Sequence, residues 1–225
     1  MSSDMNPILI FCEASDGIAV TAHIVQLFQT VACELQKRKR DEIDARAAEL
    51  CKEATQTIGE ARQDIFDRAI KEIVQGAQTK FDRRWREKFD RRWWHHFRNE
   101  EKLQLEAMTE FAEMNTSLEQ KRTDMQTIAQ REIDQKAAEA HGWIKEALDH
   151  EYVEFDHHSD KSISEASDIL LQIPVKQVQA KAGELYSQFE IDLRSLVTQT
   201  NERMERQARA RIQAIAASFE TQSNL

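Results

Sequence analysis

Residues 61–100 read ARQDIFDR AIKEIVQG AQTKFDRR WREKFDRR WWHHFRNE, five consecutive octads. Their first position is Ala, Ala, Ala, Trp, Trp, and their fifth is Ile, Ile, Phe, Phe, Phe. Ala61, Ile65, Ala69, Ile73, Ala77, Phe81, Trp85, Phe89, Trp93 and Phe97 are therefore apolar at every fourth place. Residues four apart on an α-helix differ by about 400°, so each step drifts by roughly 40°. The stripe winds about once around a straight helix, whereas a heptad seam stays on one side. Either partners wrap around this helix, or its bundle supercoils with the opposite hand to a standard coiled coil. Several faces need covering in both cases.

On the N-terminal side of this stripe, Val20, Ile24, Leu27, Val31 and Leu35 follow the three-and-four spacing of one helical face, with Ser15-Asp16-Gly17 as a capping signal before them. Ile8-Leu9-Ile10-Phe11 reads equally as a strand or a buried helical turn. On the C-terminal side a looser, heptad-like pattern passes through Phe111, Met114, Leu118, Met125, Ile128, Ile133, Ala137, Ala140 and Ile144. Asp156-His157-His158-Ser159-Asp160 reads as a break, and the serines from Ser159 to Ser164 offer caps for a following helix. From Val175 the register resumes with Val178, Ala182, Leu185, Phe189, Leu193, Leu196, Met204, Ile212, Ile215 and Phe219.

Composition agrees with these patterns. The 225 residues include only 5 Gly and 2 Pro, so few turns are encoded, while 32% are charged and 7% aromatic. The predicted fold class is all-α: long amphipathic helices forming an elongated coiled-coil-like hairpin or helical bundle. Its expected parts are an N-terminal apolar segment and first helix at 1–40, and a long helical region at 41–155 that contains the octads of 61–98. A turn at 156–174 and a C-terminal helix at 175–225 complete it. As a single helix, 41–155 would measure roughly 170 Å.

Residues 80–98 concentrate charge as well as aromatics. Lys80, Arg83, Arg84, Arg86, Lys88, Arg91, Arg92 and Arg98 face only Asp82, Glu87 and Asp90, amid Phe81, Trp85, Phe89, Trp93, Trp94 and Phe97. Trp and Arg are the usual anchors of protein interfaces. The same mixture suits stacking on bases with phosphate neutralisation, or an anionic membrane surface. The plain alternative is an aromatic packing ridge flanked by solvated pairs such as Asp82 with Arg86 and Glu87 with Arg91. The six aromatics are the expected interface, and Arg83, Arg84, Arg91 and Arg92 are the candidate anion ligands. A net charge of −9 counts against wrapping nucleic acid along the whole surface.

Three further groups of residues bear on function. Lys37-Arg38-Lys39-Arg40 has the form of a nuclear import signal, although acids follow it directly. His150, Glu154 and His157 would share a helical face and could supply N and O ligands to a transition metal, without any HExxH arrangement. Cys12, Cys33 and Cys51 form no CxxC pair, which fits a reducing compartment. There is no Gly-rich phosphate loop, no GxSxG and no nucleophile with a visible base. The sequence therefore points to a soluble, intracellular, non-enzymatic protein without cofactor or small-molecule substrate, cytoplasmic with a nuclear alternative. It would self-assemble or dock partner helices as a structural or interaction protein. A binder of nucleic acid or anionic lipid through 80–98 is the second reading, and a nuclear regulatory factor the third.

Overall fold

Scarce helix breakers and regularly spaced apolar residues favour long helices, and three are formed. A computed structural model describes residues 17–93 and 100–223, with side chains from 19 to 90 and from 101 to 221. Helix α1 spans Gly17–Trp93 (77 residues), α2 spans Glu100–Gln172 (73 residues) and α3 spans Val175–Ser223 (49 residues). Among the described residues only Ile173 and Pro174 lie outside a helix, so the fold is all-α. Pro174 explains that one break. Proline drives the preceding residue out of helical geometry, which ends α2, and it tolerates the first turn of a new helix. The Gln177 amide donates to the Pro174 carbonyl at 2.8 Å as α3 begins.

Three expected boundaries are corrected. The chain does not break at 40/41: α1 runs through, Lys39 pairs with Glu42 at 2.6 Å and Arg40 with Asp156 at 2.9 Å. Residues 41–155 are not one helix, because α1 ends at Trp93 and α2 begins at Glu100 in the opposite direction. Nor does a turn fill 156–174: α2 continues to Gln172, and only Ile173 and Pro174 separate it from α3. The polar run there does not cap anything; it bonds back onto its own helix. Ser159 Oγ donates to the Phe155 carbonyl, Ser162 Oγ to that of His158, and His158 Nδ1 lies 2.8 Å from the Glu154 carbonyl. Satisfied in this way, such side chains sit inside a helix without ending it. The capping signal at Ser15-Asp16 and the Ile8–Phe11 run fall outside the described residues.

The helices pack into two units. The first takes its described residues from Met1–Glu53 and Ala140–Arg211. In it Gln29 reaches Ser167, Gln36 reaches Ser159 and Arg40 reaches Asp156, so α1 and α2 are antiparallel. Arg203 pairs with Glu151 at 2.9 Å and Arg211 stacks 4.9 Å over the Trp143 ring, which makes α3 antiparallel to α2 as well. The result is a three-helix bundle around Phe28, Ile43, Leu50, Phe155, Leu170, Val178, Leu193 and Met204, all at most 2% exposed.

The buried positions repeat every eleven residues. Ala32, Ile43, Ala54 and Ile65 are buried in α1, Ile144, Phe155 and Ala166 in α2, and Ala182, Leu193, Met204 and Ile215 in α3. In α3 the intervening steps run four, four, three from Val178 through Ala182, Tyr186, Phe189, Leu193, Val197 and Thr200. Eleven residues turn through about 1,100°, only about 20° past three full turns, so each seam holds one side of a nearly regular helix. In α1 the seam departs from the three-and-four face expected through Leu27 and Val31, because adjacent apolar pairs compete for it: Phe28 and Ala32 are buried where Leu27 and Val31 are only half-buried.

The second unit takes its described residues from Ala54–Glu139 and Ile212–Leu225. Arg62 pairs with Glu132 at 2.6 Å and Trp85 with Glu110, so α1 and α2 are antiparallel here too. The end of α3 covers only part of the pair. Its last buried residue is Phe219, whose ring lies 5.9 Å from the Arg62 guanidinium. Past that level the described residues of the unit belong to two helices. Burial falls accordingly: no α1 residue between Phe66 and Trp85 is buried, and none of α2 between Leu103 and Ala129.

Candidate functional site

The octad stripe occupies this two-helix stretch. Ile65 and Trp85 are buried, Ala61, Ala69, Ile73, Ala77 and Phe81 are half-buried, and Phe89 is 38% exposed. A stripe advancing 40° per step cannot stay against one antiparallel neighbour, and Phe89, its last member with a described side chain, reaches the surface. Trp93 lies in α1, but its side chain is outside the described residues, as are Trp94 and Phe97 altogether.

Trp85 is anchored within the chain. Its Nε1–H donates to Glu110 Oε2 at 3.0 Å, and its ring lies 6.2 Å from Phe81 and 5.9 Å from Phe89. Lys88 Nζ sits 4.0 Å over the indole and 3.2 Å from Glu110 Oε1, a cation–π contact and an ion pair made by one ammonium. Arg84 reaches the same carboxylate at 3.4 Å. Glu110 is thus the hub joining α1 to α2. Desolvation raises its pKa, but the Lys88 hydrogen bond, the Arg84 and Lys88 charges and the indole N–H outweigh it and hold the carboxyl below its ordinary value. Phe81 meets Phe111 of α2 edge-on at 5.4 Å.

The two sides of this helix pair differ. One is a shallow, open recess lined by Ala77, Lys80, Phe81, Arg84, Glu110, Glu113 and Met114. The other side of α2 carries Leu105, Met108 and Phe111, which step by three residues, or about −60° each, away from its packed seam. They are 66%, 70% and 42% exposed. Sequence reading placed Phe111 in a continuous core and did not single out Leu105 or Met108. Three-residue steps are visible in the sequence, yet only the end of α3 leaves that side of α2 open.

No family model, curated protein or solved structure matches the chain.

The remaining candidates are dispersed. Arg83 is exposed, Arg84 is engaged by Glu110, and the side chains of Arg91 and Arg92 lie outside the described residues. In the basic run at 37–40, Lys37 and Arg38 are exposed, while Arg40 also stacks 4.0 Å over the Tyr152 ring. Tyr152 in turn donates to Asp44, and burial together with that carboxylate raises its pKa. Glu154 pairs with Arg203 at 3.1 Å instead of joining His150 and His157. Among the described residues no three His, Cys, Asp or Glu side chains are grouped to hold a metal. Cys33 is exposed and Cys51 half-buried, its thiol pKa pushed up by burial. No described helix is long and apolar enough to cross a membrane.

One polar cluster in the first unit escaped sequence reading. Glu151 and Thr200 are 4% and 0% exposed, next to Asn201 and Arg203. Thr200 Oγ1, Asn201 Oδ1 and Arg203 Nε have no protein hydrogen-bond partner, and Glu151 Oε2 lies at ion-pair distance from Arg203 without forming a hydrogen bond. Periodicity alone cannot separate a Thr or Glu on the seam from one beside it.

Proposed function

We propose that this chain is a structural or interaction protein, without catalytic activity, that self-assembles or docks helical partners through its aromatic-basic helical end. The observation carrying this reading is the two-helix stretch of the second unit. There Phe89, Leu105, Met108 and Phe111 are exposed large apolar residues within one helical pair. Apolar side chains grouped on a surface mark interaction sites more often than singly scattered ones do. Open recesses such as the one beside Glu110 are not the enclosed, concave sites that chemistry needs.

The polyanion reading ranks below this one for a specific reason. Arg84 and Lys88 are already engaged by Glu110 of α2, and are not free for an anion. The test joins sedimentation in low and high salt with binding to duplex DNA and to phosphatidylserine vesicles. Self-association surviving high salt, with no salt-sensitive binding to either probe, is the expected result. Affinity for a probe that falls linearly with log salt would overturn it in favour of the polyanion reading.

A further inference from the structure

We infer that α3 is a detachable strap of the first unit: it opens from α1 and α2 as one element, about the Ile173–Pro174 connection, while the α1–α2 pair stays closed.

Three observations carry it. The first is how unevenly the polar links are shared. Along the unit α1 and α2 are tied by Gln29 to Ser167 at 3.1 Å, Gln36 to Ser159 at 2.7 Å and Arg40 to Asp156 at 2.9 Å. Tyr152 donates to Asp44, and His141 lies 2.9 Å from the Cys51 carbonyl. On α3 the side chains from 187 to 202 bond within their own helix instead: Gln188 to Asp192, Arg194 to Glu190 and Gln199 to Ser195. Ties to the other two helices follow at Arg203, Glu205 and Arg211.

The second is the boundary between α2 and α3. An open groove of about 280 Å³ lies between His158, Ser159 and Ser162 of α2 and Phe189, Asp192 and Ser195 of α3. Just beyond it Thr200 Oγ1, Asn201 Oδ1 and Arg203 Nε, all on α3, are buried without a hydrogen-bond partner. Such groups recover hydration when the helix leaves, which favours the open state. The third is the second unit, where the described residues past the level of Phe219 belong to α1 and α2 alone. There the pair is joined through Trp85 with Glu110 and Phe81 with Phe111, so its closure does not require α3.

Burial of Val178, Phe189, Leu193, Val197 and Met204 holds the strap shut at rest. Cooperative segments nonetheless open at free energies below that of global unfolding. Ile173 and Pro174 are the only described residues outside a helix, so α3 can leave without unwinding α2. Opening bares its seam and the faces of α1 and α2 beneath it, an apolar surface of helical length.

Hydrogen exchange of the full chain, read peptide by peptide by mass spectrometry, tests this. Amides of 187–203 should exchange faster than those of 28–50 in α1 and 144–170 in α2. Gln36→Ala removes a bond that persists when α3 opens. It should speed exchange in α1 and α2 about 2- to 10-fold and leave α3 unchanged. Thr200→Val removes a buried hydroxyl from the strap and should slow α3 about 5- to 30-fold. Equal rates in all three helices, or a Gln36→Ala effect shared by α3, would overturn the strap and make the unit open as a whole. Exchange faster in α1 or α2 than in α3 would overturn α3 as the element that moves.

Discussion

Replacing Thr200 by valine removes a hydroxyl that the first unit buries completely and that no protein group satisfies. A buried polar group without a partner forfeits its hydration, at about 1–3 kcal/mol. Valine keeps the β-branched shape and has nearly the same helix propensity as threonine. Met204, one turn further on and fully buried, shares the helical face of Thr200, and the substitution should stabilise the protein by about 1–2 kcal/mol. For a chain of this size that corresponds to a rise in melting temperature of about 2–8 °C. Thr200→Ser is the control. It keeps the hydroxyl and removes one methyl, and should destabilise by about 1 kcal/mol. Urea unfolding followed by circular dichroism measures both. A valine variant less stable than the parent by a kilocalorie or more would refute the reasoning, since the hydroxyl would then be making a stabilising bond in solution.

Phe155→Ala, at a fully buried position of the same unit, should cost about 3–5 kcal/mol in urea unfolding. Gly76, where an added Cβ meets nothing within 4 Å, is a helical position that alanine should improve by about 0.5–1 kcal/mol. Glu110 titrates below the ordinary carboxylate range, so the stability it contributes is present above its unfolded pKa and is lost as pH falls through the lowered folded value. Tryptophan fluorescence should therefore shift in acid below the range of a free carboxylate, and Glu110→Gln should remove that step.

The all-α class was readable because Gly and Pro are scarce and the apolar spacing persists. The seam of α3 was readable residue by residue at Val178, Ala182, Phe189, Leu193, Met204, Ile212, Ile215 and Phe219, which are all buried. It slipped at Leu185 and Leu196, where the neighbouring Tyr186 and Val197 take the buried place. A polar run resembling a turn at 156–160 was misread because serine and histidine side chains can bond to carbonyls one turn back as readily as they cap. The reversal between α1 and α2 left no sign at all, since the octads continue through Trp93 to Phe97 without Gly or Pro. Of the candidate interface, Trp85 proved to be tied to Glu110 inside the chain, a long-range pairing that no local spacing encodes.

The eleven-residue phase of the seams limits how this chain can change length. Deleting one residue within α3, for instance at the exposed Ile191, would rotate everything beyond it by about 100° relative to what precedes it. Leu193, Met204 and Ile215 would leave the core together, and Arg194, Glu205 and Ala216 would take their places. Loss or gain of eleven residues restores the phase to within about 20° and keeps the next layer in contact with its neighbours. Viable length variants of this protein should thus come in steps, and in the three-helix unit a step in one helix requires the same step in both others.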